Sequence, residues 1–151
     1  MSRVLDLPDE AATVRLGARL AALARPGDVL LLTGTLGAGK STLARAFIRA
    51  LTSPGEEVPS PTFTLVQTYD GDRGELWHFD LYRLDRPDDA WELGIEDAFA
   101  DGISLIEWPD RLGALVPRRR LDIRLEPGPA EGARRATLTS VDQWDDRIGD
   151  L

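Results

Sequence analysis

The 151-residue chain contains no cysteine and one histidine, His78, which excludes disulfides, thiolate metal sites, cysteine nucleophiles and any multi-histidine metal centre. Its formal net charge of −8 argues against strong direct binding to a nucleic-acid backbone, where affinity comes from neutralising phosphates with Lys and Arg. No stretch approaches the roughly 20 apolar residues of a membrane helix, and Met1-Ser2-Arg3-Val4-Leu5-Asp6 lacks the basic start and apolar run of a signal peptide, so a cytoplasmic protein without membrane attachment is expected.

The length suits one domain over residues 1–151. Residues 3–7 alternate and predict an edge strand. Pro8-Asp9-Glu10 opens a helix, with Pro in the first turn, acids at the positive end, and Val14, Leu16, Leu20 and Leu23 along one side. Pro26-Gly27-Asp28 stops it. Residues 29–33 form an apolar run of the kind buried on both faces of an α/β sheet. Residues 34–39 read as a loop and 40–51 as a helix, with Leu43, Phe47 and Leu51 at helical spacing. The prolines of 52–61 predict an extended surface loop. Residues 63–69 and 75–80 predict two strands, and Asp70-Gly71-Asp72-Arg73-Gly74 between them is a hairpin signal. Residues 88–99 are helical in parts, with a break at Gly94. A short apolar strand, 103–106, ends in Glu107-Trp108-Pro109. Strands are predicted again at 121–125 and 136–140, and residues 142–151, with four aspartates, as a peripheral helix or tail. Arg118-Arg119-Arg120 reads as a solvated cluster ahead of a strand. This order predicts an α/β fold with a central mixed β-sheet flanked by helices.

Gly34-Thr35-Leu36-Gly37-Ala38-Gly39-Lys40-Ser41 fits G-x-x-x-x-G-K-[ST] in full, between a predicted buried strand and a predicted helix. Glycines let successive backbone N–H groups turn inward around phosphate oxygens, and the helix points its positive end at the same anion. Lys40 is expected to reach the β- and γ-phosphates and the Ser41 hydroxyl to ligate Mg²⁺. Lys40 is also the sole lysine: the other 17 basic residues are arginine. A compact ammonium on a flexible stem is not replaceable by a planar guanidinium in a tight phosphate loop.

Phosphoryl chemistry on such a loop needs an acid near the metal. Glu107 and Asp80 both end predicted strands, and spacing alone does not choose between them. Thr62, in Ser60-Pro61-Thr62, either senses the γ-phosphate as switch segments do or starts a strand. Trp108 reads as site cover, partner anchor or core, and His78 as a strand residue rather than a base.

Four segments together resemble the TsaE family, the bacterial P-loop ATPases of tRNA threonylcarbamoyladenosine biosynthesis: Gly37-Ala38-Gly39-Lys40-Ser41-Thr42, Pro59-Ser60-Pro61-Thr62-Phe63-Thr64-Leu65, His78-Phe79-Asp80-Leu81-Tyr82-Arg83-Leu84 and Leu105-Ile106-Glu107-Trp108-Pro109. The resemblance runs from about residue 8 to 140. It implies a P-loop NTPase fold and a Mg²⁺-dependent ATPase, slow alone and dependent on partners. It implies nucleotide contacts from Gly34, Thr35, Leu36, Gly37, Ala38, Gly39, Lys40, Ser41, Thr42 and Thr62, metal contacts from Ser41, Asp80 and Glu107, and catalytic roles for Lys40, Asp80 and Glu107. It further implies that ATP hydrolysis serves a pair of partner proteins, TsaD-like and TsaB-like, which carry out the tRNA chemistry. Thr35 stands where the family usually has an acid.

Two rivals can be weighed from residues. Guanine selection by Asn-Lys-x-Asp is impossible in a chain without asparagine whose one lysine is Lys40. A small-molecule P-loop kinase would need an arginine-rich lid, for which Arg83, Arg86 and Arg111 are the candidates.

Overall fold

In the computed structural model, residues 1–35, 37–141 and 144–151 are described. The strands are β1 (Ser2–Leu7), β2 (Val29–Thr33), β3 (Val66–Gly71), β4 (Gly74–Asp80), β5 (Ile103–Glu107), β6 (Arg120–Pro127) and β7 (Arg134–Val141); the α-helices are α1 (Glu10–Leu23), α2 (Lys40–Leu51) and α3 (Ile95–Asp101). Among the described residues the strands form one mixed sheet in the order β1-β7-β6-β2-β5-β4-β3. The expected mixed sheet flanked by helices is therefore present.

The centre of the sheet is parallel: β2 pairs with β5 and β6, and β4 pairs with β5. Its apolar strand β2 is buried on both faces, as the run of leucines requires. Alternation then sorts the side chains. Leu30, Leu32, Leu76 and Leu105 join Leu16, Leu20, Leu43, Phe47 and Ile48 on the side of α1 and α2, whereas Val29, Leu31, Phe79 and Ile106 join Ile95, Ala98 and Leu112 on the other side. Each such side chain removed from water contributes about 1.5–3 kcal/mol. Parallel strands bring the ends of β2, β4 and β5 to one edge, the place where open α/β sheets bind ligands.

Local chemistry corrects several expected boundaries. Pro8 lies outside α1; the cap is Asp9, whose carboxylate accepts the Ala12 N–H at 2.9 Å. The buried stripe of α1 is Ala12, Thr13, Leu16, Gly17, Leu20 and Ala21, so Val14 falls off that face and is exposed. The last turn of α1 has no basic residue of its own. Arg73, from the β3–β4 hairpin, donates from Nη1 to the carbonyls of Ala21, Ala22 and Ala24 at 3.1, 2.7 and 2.8 Å and supplies the missing cation. Strand β3 starts at Val66 rather than at 63, because residues 61–65 close a turn with Leu65 N–H on Pro61 O at 2.8 Å and Leu65 at φ 68°. Phe63 is left exposed.

Residues 144–151, expected at the periphery, run as turns into a short 3-10 segment, Ile148–Asp150. Trp144, Ile148 and Leu151 are buried in the cluster under α1 and α2. Arg147 forks onto Asp28 at 2.7 and 3.0 Å and donates to Leu23 O at 2.8 Å. The aspartates give this segment its polar look; its apolar anchors are widely spaced and easily missed. Asp142, the first residue of that expected tail, lies outside the described residues. No described helix is long and apolar enough to cross a membrane.

Candidate nucleotide site

The loop between β2 and α2 is shaped by two glycines. Gly34 sits at φ 144°, and a Cβ there would come within 2.5 Å of Leu125 O on β6, so no other residue lets the chain leave β2 so close to its neighbour. Gly39 caps α2 in the left-handed region, at φ 96° and ψ 10°, with no side-chain cap. The first-turn N–H groups of α2 therefore have no acceptor within the helix or from a capping side chain. Their positive end opens into a cavity of about 300 Å³ lined by Gly37, Gly39, Lys40, Ser41, Thr42, Ser60, Thr62, Asp80, Glu107, Trp108 and Arg134.

Eight of the twelve residues expected to act at the site thus share one cavity. Gly34 and Thr35 line a neighbouring groove with Arg124, Leu125 and Glu126, and Ala38 is buried against the core. Leu36 lies outside the described residues. Arg83, Arg86 and Arg111 do not line the cavity: Arg83 lies over the Phe63 ring at 4.7 Å, Arg86 meets Asp89 at 3.6 Å, and Arg111 lies 5.7 Å from the Tyr82 ring centroid.

Lys40 is buried, and its Nζ has no hydrogen-bond partner among the described residues. It rests 3.7 Å from the centroid of the Trp108 ring. Burial pushes its pKa below the ordinary lysine value, opposed by the negative charges of Glu107, Asp80 and Asp110. Trp108 reaches this position because its backbone turns back at φ 58° and ψ 52°, between Glu107 and Pro109. For a bulky residue that conformation costs about 1–3 kcal/mol.

The two acids sit side by side, since Asp80 on β4 pairs in register with Glu107 on β5. Both are buried. Asp80 Oδ1 accepts the Tyr82 N–H at 3.1 Å, and Glu107 Oε2 meets His78 Nε2 at 2.8 Å. The Ser60 and Thr62 hydroxyls, 2.9 Å apart, line the same cavity. Among the described residues no group of three or more His, Asp and Glu is arranged to hold a metal.

Sequence reasoning missed Arg134. Strand β7 starts beside the loop, and Arg134 Nη2 donates to Gly37 O at 2.9 Å while Nη1 donates to Ala133 O at 2.8 Å. No motif spacing signals this, because the antiparallel return of β7 creates it. The contact of His78 had a fainter signal: His78 and Asp80 are two apart on one strand and so share a face.

A glycine-shaped loop, a buried lysine and two carboxylates at the ends of parallel strands are the features of a P-loop nucleotide-binding fold. The family model described as "Threonylcarbamoyl adenosine biosynthesis protein TsaE" matches residues 7–136. The chain belongs to the TsaE family. Proteins named "tRNA threonylcarbamoyladenosine biosynthesis protein TsaE" are similar to it in Rickettsia felis (37% identical over 82% of this chain and 72% of that one), Bacillus subtilis (38%, over 80% and 75%) and a Nostoc species (38%, over 88% and 83%). The crystal structure of Bacillus subtilis YdiB superposes with a TM-score of 0.80 at 30% identity, over 99% of this chain and 93% of that one. The TsaE match ends at residue 136, within β7, and takes in the phosphate loop, both acids and Arg134.

Proposed function

We propose that this TsaE-family chain acts as a single Mg²⁺-dependent ATPase domain in the biosynthesis of tRNA N6-threonylcarbamoyladenosine, in the cytoplasm, through a TsaD-like and TsaB-like protein pair rather than on the tRNA itself. The observation that carries the reading is Lys40: a buried ammonium without a hydrogen-bond partner, at an uncapped helix N-terminus, facing two carboxylates. A buried donor left unpaired is costly, and an anion bound in this cavity would satisfy it. The names of the relatives supply the pathway.

The side chains present fit a nucleotide and its metal. Lys40 and the N–H groups from Gly37 to Thr42 would hold phosphate oxygens. Ser41, with Asp80 or Glu107, would hold Mg²⁺, which when bound neutralises charge on the phosphates. The remaining carboxylate would accept hydrogen bonds from water and orient it. Thr62, facing the site from the 61–65 turn, would respond to the γ-phosphate. Arg134 would fix the loop from outside. Burial of the acids limits competing water, which strengthens each of these interactions.

The test is ATP binding and hydrolysis by the wild type and by Lys40→Ala, followed by mixing with TsaD-like and TsaB-like proteins. ATP-dependent association and threonylcarbamoyladenosine formation are expected for the wild type alone. Equal ATP affinity in the two chains would sink the site assignment, and association indifferent to ATP would sink the partner assignment.

A further inference from the structure

We infer that His78 is a positioning residue for Glu107: its imidazole ties one carboxylate oxygen so that the other is presented to the nucleotide cavity. The inference rests on the ATPase reading above but starts from different atoms. His78 lies opposite Leu105 in the β4–β5 register, so its ring reaches one step diagonally along β5 to Glu107. The Nε2–Oε2 separation is 2.8 Å, and both side chains are buried, at 3% and 7% exposure. A contact so short and so dry leaves little freedom to either partner.

The other face of the ring fixes the hydrogen. His78 Nδ1 is buried with no hydrogen-bond partner among the described residues. A hydrogen on Nδ1 would be a buried donor without an acceptor, whereas a bare lone pair there costs less. The hydrogen therefore belongs on Nε2, which donates to Glu107 Oε2.

This bond has a consequence for Lys40. Of the carboxylates that attract the Lys40 ammonium, Glu107 acts most strongly, ahead of Asp80 and Asp110. An untethered Glu107 would swing toward that ammonium and occupy it. Held by His78, the carboxylate stays at the end of β5, and Lys40 stays on the Trp108 ring, available to a phosphate. His78 touches neither nucleotide nor water in this scheme; it acts through Glu107.

Because His78 is the sole histidine, ¹⁵N-histidine labelling of the whole chain gives a single imidazole. Nucleotide-free protein is expected to show the hydrogen on Nε2, a bare Nδ1, and resonances that move in Glu107→Gln. A hydrogen on Nδ1, or resonances indifferent to Glu107→Gln, overturns the inference. In hydrolysis assays, His78→Leu is expected to lower kcat about 10- to 100-fold, as loss of an orienting partner does, and to weaken nucleotide binding, because the freed Glu107 competes with phosphate for Lys40. His78→Gln, whose amide nitrogen can stand near the Nε2 position, is expected to restore most of the turnover. Wild-type kcat in His78→Leu, or a Gln variant no better than Leu, overturns it. A wild type that does not hydrolyse ATP defeats the proposed function instead, and the labelled imidazole still decides the His78–Glu107 bond.

Discussion

Lys40 Nζ sits 3.7 Å from the centroid of the Trp108 ring and makes no hydrogen bond to any of the described residues. A cation–π contact of this kind is worth about 0.5–2 kcal/mol. It softens the burial of the ammonium, whose removal from water lowers its pKa. The lysine is held at the site at the expense of the empty protein's stability.

Lys40→Met should therefore leave the nucleotide-free protein at least as stable as the wild type while abolishing the rise in Tm that ATP produces. The pH dependence follows in sign. The folded pKa is below the unfolded ~10.4, so between the two values the unfolded chain binds more protons and stability rises with pH. Below that window the cost of the buried charge is present in full. Urea unfolding at increasing pH should show this rise in the wild type and its loss in Lys40→Met.

Glu107→Gln and Asp80→Asn keep the shape of each acid and remove its charge. Asp80→Asn also keeps the Oδ1 acceptor used by the Tyr82 N–H. Both variants should bind ATP, because Lys40 and the α2 N–H groups are untouched. Glu107→Gln should lose hydrolysis by at least about 100-fold, the scale of a group that orients or deprotonates water. Asp80→Asn should instead raise the Mg²⁺ concentration needed for half-maximal turnover, if Asp80 is the acid nearer the metal. Magnesium titrations of both variants separate the two roles.

Asp28→Ala tests the closing segment. Asp28 is buried, accepts both Arg147 nitrogens, and also accepts the Arg25 N–H at 2.6 Å. Removing one partner of a buried, hydrogen-bonded ion pair costs about 3–5 kcal/mol. At about 2–4 °C per kcal/mol for a chain of this size, Tm should fall by roughly 10 °C. Nucleotide affinity should be unchanged below the new Tm. An exposed substitution such as Asp146→Ala, on the same segment, should leave Tm within about 1–2 °C of the wild type.

What could be read from the sequence was local or covalently adjacent. The leucines of β2, the phosphate loop and helix α2 are contiguous, and hydrophobic period and glycine spacing announce them. Asp80 and Glu107 stand out because each ends a strand, but their pairing depends on β4 and β5 being neighbours, which period alone does not encode. Arg73 on the end of α1, Arg147 on Asp28 and Arg134 on Gly37 join residues roughly 50 to 120 apart. In a chain with 17 arginines, composition does not mark which of them leave solvent for a carbonyl or a carboxylate. The start of β3 differs from the expected one for another reason: Phe63 has strand propensity, but the Pro61–Leu65 hydrogen bond fixes a turn there.

Arg134 gives the prediction that departs furthest from motif reading. Its Nη2 holds Gly37 O, its Nη1 holds Ala133 O, and its Nε, buried and without a hydrogen-bond partner among the described residues, passes 3.2 Å from where a Gly39 Cβ would stand. The same side chain lines a second cleft of about 410 Å³ with Leu7, Pro8, Pro127 and Gly128, next to the phosphate cavity. One guanidinium thus fastens the loop and walls the space beside it. Arg134→Ala should weaken ATP binding about tenfold, the loss of one hydrogen bond to a charged group, with little change in nucleotide-free Tm, because Arg134 is only partly buried. Arg134→Lys should not rescue it, since an ammonium cannot span two carbonyls with the planar fork of a guanidinium. Calorimetric titration of the three chains with ATP decides the matter: a Kd for Arg134→Ala within twofold of the wild type would show that the loop holds its shape without this residue.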